Sequence, residues 1–240
     1  MIDKDLLRSY TVPFGVCLDD TACEKLDRYA QLLVEWNEKM NLTGITDPDG
    51  IALKHFADSL TALPLLPERE GCTLVDVGTG AGFPAIPLSI ARPDLRVTLL
   101  DSLNKRLLFL QEVCRELGLS AVTVHARAEE GAHRTELRER FDVATARAVA
   151  ALPTLSEYCL PFVKVGGRFI AMKGPESDGE AQQAARAIAL LGGNTPAVTE
   201  HRLSGADGEI LTRRLFVIEK TKHTLPAYPR HGSKIAKQPL

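Results

Sequence analysis

Residues 74–84, LVDVGTGAGFP, restrict how this chain can fold more than any other stretch of it. A short apolar run ending in an acid, Asp76, leads into glycines at alternate positions, Gly78, Gly80 and Gly82. Further on, a second apolar run, VTLLDS, ends in Asp101. A strand, a glycine turn, a helix and a second strand tipped by an acid make the half-fold that holds a nucleoside. The glycines let backbone approach the ligand, and the second acid accepts hydrogen bonds from ribose hydroxyls. Taken alone, the glycines could also be simply a tight strand-to-helix connection. Two acids at matching strand ends narrow that choice, because acids at a buried edge are costly without partners.

The spacing is G-x-G-x-G, not the G-x-G-x-x-G of dinucleotide folds, and no Gly-Lys-Ser/Thr follows to grip phosphates. Pro84 removes an amide donor at the start of the next helix. The expected ligand is therefore an adenosine bearing something other than phosphates. S-adenosyl-L-methionine fits, with Asp101 on the ribose, Gly78 and Gly80 beside the amino-acid portion, and Asp76 near its ammonium.

Around this motif the chain divides into three parts. Residues 1–70 read as a helical extension. Thr21 and Glu24 have capping-box spacing. Ala22, Leu26, Tyr29, Leu33, Trp36 and Met40 then fall on one helical face and are expected to pack in the core. A second helix over Ile51–Leu63 is stopped by Pro64 and Pro67. Residues 71–220 alternate expected strands (Leu74–Val77, Val97–Leu100, Val122–His125, Asp142–Thr145, Arg168–Met172) with helices (Ala85–Ala91, Lys105–Leu117, a short piece near Glu129–Glu139, Leu152–Val163, Gly179–Leu191). Gly166-Gly167 is expected to turn the chain into the fifth strand. Ala197–Leu203 and Leu211–Glu219 complete seven strands with an antiparallel finish. The class is α/β: a Rossmann-like, mostly parallel sheet covered by helices on both faces. Residues 221–240 form a tail that is basic and carries no acidic side chain.

Bulk properties exclude some functions. At 45% hydrophobic and 25% charged, with net charge −2, the composition is that of a globular protein with a full core. No apolar run approaches the ~18–20 residues of a membrane span. The five cysteines are scattered and nowhere spaced C-x-x-C, so neither a disulfide framework nor a metal site is expected, and a cytoplasmic location fits best.

Ligands on such sheets bind beyond the carboxyl ends of the strands, so the segments after His125 and Thr145 should converge on Gly78 and Asp101. Ala128 and Glu129 could there read an adenine edge through a backbone amide and an acid; Glu129 is equally a solvated helix-start residue. Arg147, after the fourth strand, is placed for ligand or RNA phosphate. Lys173, ending the fifth strand, is expected on the same rim. His55 is as readily a structural histidine as an RNA contact.

The strings DVGTGAGFPAIPLSIARPDLRVTLLDSLNKRLLFL, ARAEE, TARAVA and AMKG, with WNEKMNLTGIT and HFADSL before them, closely resemble the bacterial 16S ribosomal RNA (guanine-N7) methyltransferases of the glucose-inhibited-division B type. The resemblance covers almost the whole chain. It implies a class I methyltransferase fold and transfer of a methyl group to guanine N7 in 16S rRNA, free, in an assembly intermediate or in the small subunit. It further implies cofactor contacts at Gly78, Phe83, Ala128, Glu129 and Arg147. Ala85 departs from the family's usual glycine, and the PRHGSKIAKQPL tail departs from its basic Pro-Arg-Lys ending. Arg147 and Lys173 are the expected catalytic residues, and Arg147, Lys173, His55 and Arg230 the expected RNA contacts.

A ring-nitrogen target fits independently. Enzymes that methylate exocyclic amines usually carry Asn/Asp-Pro-Pro-aromatic where this chain has Ala-Arg147-Ala. Carbon methylation needs an activated cysteine, and Cys159 sits in a core-like helix. Guanine N7 has an in-plane lone pair and no proton, so no general base is required there. The rival readings are a small-molecule methyltransferase with an apolar pocket under its helical cap, a nucleotide-binding dehydrogenase, and a catalytically silent RNA-binding protein.

Overall fold

Apolar strands alternating with helices from Thr73 onward produce one seven-stranded sheet in the order β3-β2-β1-β4-β5-β7-β6. The computed structural model describes residues 1–240. The strands are β1 (Thr73–Val77), β2 (Arg96–Asp101), β3 (Ala121–His125), β4 (Phe141–Arg147), β5 (Val163–Lys173), β6 (Ala197–Ser204) and β7 (Ile210–Glu219). β1 to β5 pair in parallel, and β7 runs antiparallel to β5 and β6. Helices α1 (Lys4–Thr11), α2 (Asp20–Met40) and a helical run at 48–60, here α3, precede the sheet. Then come α4 (Ala85–Ala91), α5 (Asn104–Leu117), α6 (Ala128–Gly131), α7 (Leu152–Cys159), α8 (Glu180–Leu190) and α9 (Gly232–Lys237).

Strand periodicity divides the interior in two. Leu74, Val143 and Ile170 join a cluster of 42 buried residues on one face, while their neighbours Val75, Ala144 and Phe169 join a cluster of 21 on the other. The first cluster is larger because the N-terminal helices are built into it. Of the α2 stripe, Ala22, Leu26, Tyr29 and Leu33 are buried, and Trp36 and Met40 pack half-buried against the same cluster.

Several local expectations change. The cap of α2 is Asp19, whose side chain accepts the Ala22 N–H at 2.7 Å, so Thr21 is not the capping residue. The helix starts two residues earlier than the Thr21 cap implies, and the acid there takes its orphan donor. Gly166 and Gly167 lie within β5, where the pairing with β4 shifts register between Phe141 and Val143. A Cβ at Gly167 would lie 2.5 Å from the Asp142 carbonyl, so the close approach, not a turn, requires glycine. The helix expected near Glu129–Glu139 is only α6, one turn long. The expected Ile51–Leu63 helix becomes a run whose residues Ile51–Ala57 form π-helical turns. Such widened turns recur at functional sites because they reaim side chains.

The tail is docked. Glu157, fully buried in α7, accepts Arg230 Nε at 2.9 Å and Nη2 at 2.7 Å, and the Arg230 backbone N–H at 2.8 Å. The guanidinium also donates to the Gln238 carbonyl at 3.0 Å. The expected phosphate contact at Arg230 therefore gives way to an anchoring role, because a buried carboxylate commands its donors.

Candidate active site

The strand order reverses between β1 and β4, and the crevice that such a reversal opens lies beyond their carboxyl ends. A cavity of about 370 Å³ occupies it, lined by Gly78, Asp101, Arg106, Ala128, Glu129, Ala148 and Val149 among others. That volume falls in the ~300–1,000 Å³ range of small-molecule sites. Gly78 has φ +71°, and a Cβ there would meet Val149 Cγ2 at 3.0 Å, so backbone forms this wall where a side chain would fill it. Asp101 ends β2 with its carboxylate organised by the loop. Oδ2 accepts the Gly80 N–H at 2.9 Å, Oδ1 accepts the Leu103 N–H at 2.8 Å, and Arg106 stands 3.5 Å away. A carboxylate held by two amides at the mouth of a concave glycine wall suits a ribose diol. The crevice residues thus fit an adenosyl cofactor.

Asp76, expected near the cofactor's ammonium, does not reach the crevice. Its side chain is fully buried, accepting hydroxyl protons from Thr79 at 2.6 Å and Thr145 at 2.8 Å, and it lines neither this cavity nor the next. Burial raises its carboxyl to about 7. It clamps the loop from beneath. Gly82, at φ +99°, sits where α2, α4 and α5 meet: a Cβ would come within 2.8 Å of Tyr29 Oη, Ile86 Cγ1 and Leu110 Cδ2. Tyr29 Oη donates to the Ala81 carbonyl. The third glycine therefore serves helix docking.

A second cavity of about 470 Å³ adjoins the first and shares Ala148 with it. Ala148 has φ +55°, an uncommon conformation for a residue with a Cβ. Strain of that kind is held in place by surrounding structure and concentrates at functional sites. Lys54, His55 and Asp58 from α3, Arg147 from β4, Lys173 from β5 and Arg213 from β7 all line this cavity. Asp58 is 1% exposed, its Oδ2 accepting Arg147 Nη1 and its Oδ1 accepting Arg213 Nε, each at 2.9 Å. The Arg147 guanidinium lies 4.7 Å from the centre of the Phe83 ring. His55 stacks on the same ring at 4.5 Å and hydrogen-bonds Thr43 Oγ1 at 2.7 Å. Burial, aided by Arg147, lowers its imidazole to about 4, so it is neutral at physiological pH. Lys173 Nζ donates to the Ala150 carbonyl at 2.8 Å and lies 3.0 Å from Glu180 Oε2.

Of the residues expected at the cofactor, Gly78, Asp101, Ala128 and Glu129 line the first cavity. Gly80 acts on Asp101 through its amide; Phe83 is buried beneath Arg147; Arg147 itself faces the second cavity. Among the expected RNA contacts, His55, Arg147 and Lys173 meet in the second cavity and Arg230 stands apart. Asp58, Arg213, Glu180 and Arg106 were missed. The one available signal was a charge inside an otherwise apolar run, Asp58 in HFADSL and Arg213 in LTRRLF, since such a charge requires a partner.

The sheet order, the glycine wall and the acid-tipped second strand define a class I S-adenosyl-L-methionine-dependent methyltransferase. Solved structures of that class share its architecture. An O-methyltransferase of Thermotoga maritima described as SAM-dependent aligns with TM-score 0.54 at 17% identity, covering 80% of this chain and 73% of that one. A precorrin-6y C5,15-methyltransferase of Geobacter metallireducens aligns with TM-score 0.52 at 15% identity, covering 68% and 86%. Sequence comparison is narrower. The family model of rRNA small subunit methyltransferase G matches residues 22–205. The ribosomal RNA small subunit methyltransferase G of Clostridium perfringens is 46% identical over 98% of both chains, and that of Alkaliphilus metalliredigens 48% identical over the full length of both. The chain belongs to the rRNA small subunit methyltransferase G family.

Proposed function

We propose that this protein transfers the methyl group of S-adenosyl-L-methionine to N7 of one guanine in 16S ribosomal RNA within the cytoplasm. The observation that carries this reading is the second cavity, which meets the cofactor crevice at Ala148. Its lining brings together the cationic side chains of Lys54, Arg147, Lys173 and Arg213. A nucleobase and its phosphates would find charged and polar partners there that an uncharged apolar metabolite would leave unused. The names of the relatives favour small-subunit rRNA over other nucleic acids.

The chemistry fits a ring nitrogen. Ala146-Arg147-Ala148 replaces the motif of amine methylation. Cys159 is fully buried, and burial pushes its thiol well above the ordinary range, so it is no nucleophile. When bound, the cofactor supplies a methyl group on a positively charged sulfur. The protein has to bring the N7 lone pair into line with it, and orientation of this kind is worth up to ~7–11 kcal/mol. In this reading Gly78, Asp101, Ala128 and Glu129 hold the cofactor, with Gly80 fixing Asp101. Phe83 and Asp58 set the Arg147 guanidinium at the rim of the base cavity. Arg147, Lys173 and His55 face the RNA.

The test is to map 7-methylguanosine in rRNA from cells lacking the protein and to restore it in vitro with purified protein and labelled cofactor. One position should lose its mark and regain it. Undiminished 7-methylguanosine at every position, or label appearing on another atom, would overturn the reading.

A further inference from the structure

Glu180 opens α8 outside every motif that pointed to the site, yet it lies on the wall of the second cavity beside Lys173. One of its oxygens is committed: Oε2 accepts the Leu152 N–H at 2.6 Å and the Lys173 ammonium at 3.0 Å. Lys173 Nζ is held in turn by the Ala150 carbonyl at 2.8 Å, which leaves one of its three protons without a protein partner. The side chains are 13% and 16% exposed, enough to reach a ligand but too little to be bathed in water. Backbone at both ends thus fixes a cationic donor beside an anionic acceptor whose Oε1 has no protein partner.

Guanine carries the complementary pair. O6 is an acceptor, and N1–H, the neighbouring ring position, is a donor. Adenine reverses both, with an amino donor and a bare N1. A donor and an acceptor side by side therefore accept guanine and reject adenine, whose amino group would meet the ammonium and whose N1 lone pair would meet the carboxylate. Unpaired buried polar groups of that kind give strong discrimination. N7 lies on the other side of O6 from N1, so a base held by this edge keeps N7 unobstructed beside the held oxygen.

Resting on the function proposed above, we propose that Lys173 and Glu180 read the O6/N1–H edge of the target guanine, and that the Glu180 carboxylate steadies the charge the base acquires on methylation. In the transfer the N7 lone pair forms the new bond to the methyl carbon as the carbon–sulfur bond breaks. Sulfur becomes a neutral thioether, and the positive charge spreads over the purine ring. N1–H keeps its proton but becomes more acidic, so its hydrogen bond to a carboxylate strengthens at the moment of transfer. An interaction stronger in the transition state than in the ground state raises the rate of the chemical step.

The experiment measures single-turnover methyl transfer from labelled S-adenosyl-L-methionine to 16S rRNA particles carrying guanosine, inosine or 1-methylguanosine at the modified position. Wild-type protein should methylate inosine within tenfold of guanosine, since inosine retains O6 and N1–H. It should methylate 1-methylguanosine at least a hundredfold more slowly. Glu180→Ala should be slow on guanosine with unchanged cofactor affinity by calorimetry, and should discriminate against 1-methylguanosine less than tenfold. Wild-type transfer to 1-methylguanosine at the guanosine rate overturns the inference without reference to any variant. Discrimination undiminished in a folded Glu180→Ala overturns it as well. Failure of wild type to methylate guanosine N7 at all would instead sink the functional reading beneath it.

Discussion

Asp58 Oδ2 accepts Arg147 Nη1 at 2.9 Å, joining the helical run at 48–60 to the end of β4 across 89 residues of chain. The same carboxylate takes Arg213 Nε with its other oxygen, so one buried acid fixes two guanidinium groups from neighbouring regions of the sheet. Arg147 gains its direction from this pair and from the Phe83 ring beneath it. A carboxylate whose two oxygens accept from guanidinium groups on two different strands is more restrictive than either contact alone.

Asp58→Ala should therefore act on both stability and turnover. Two partly buried arginines would lose their common counter-ion, and breaking a buried pair from one side costs about 3 kcal/mol or more. Urea unfolding should show that loss. Methyl transfer at a temperature where the variant is folded should fall together with affinity for RNA, while affinity for S-adenosyl-L-methionine holds. Wild-type turnover in Asp58→Ala would show that Arg147 needs no such support.

At the cofactor crevice, Asp101→Ala should weaken S-adenosyl-L-methionine binding by about 1–3 kcal/mol, the worth of charge-assisted hydrogen bonds lost from the ribose. The Gly80 and Leu103 amides would lose their acceptor too, loosening the glycine loop. Isothermal calorimetry reads the change directly, and an unaltered affinity removes Asp101 from the site.

The docked tail makes a contrasting prediction. Arg230→Ala should expose residues 221–240 to hydrogen exchange and cost about 3–5 kcal/mol, because Glu157 is left buried and charged. Replacing both partners, Glu157→Met with Arg230→Met, should recover most of that stability and leave RNA affinity at the wild-type value. A drop in RNA affinity in the folded double variant would restore Arg230 as a phosphate contact.

Two buried groups set opposed pH dependences. His55 titrates near 4 in the folded protein against an ordinary 6.5. Its contribution is complete above pH 6.5 and is lost as pH falls toward 4, because only the unfolded chain takes up the proton in that window. Asp76 titrates near 7 against an ordinary 3.8. Its protonated form favours the folded state, so this contribution is complete below pH 3.8 and is lost as pH rises through 7. Each slope is on the order of 1 kcal/mol per pH unit. Between pH 6.5 and 4 they offset one another in the wild type. Asp76→Asn should steepen acid destabilisation in that window and His55→Asn should relieve it. Parallel pH–stability curves for the two variants would contradict both shifts.

Sequence alone determined the parts of this protein that rest on local physics. Period-two and period-3.6 patterns located all seven strands, although β5 begins at Val163, five residues before its expected start, because burial of one face imposes the pattern only on contiguous stretches. The acid-tipped strands and the glycine turn marked the cofactor crevice, because backbone approach and ribose binding need those residue types at those strand ends. Tertiary structure decided the rest. Asp76 read as a ligand contact and proved to be a buried clamp; Arg230 read as a phosphate contact and proved to be an anchor. The second cavity draws Asp58, Arg147, Lys173, Glu180 and Arg213 from five separate elements. A charge's role is set by which opposite charge and how much water surround it, and partners 89 or 155 residues away leave no periodic trace in the chain.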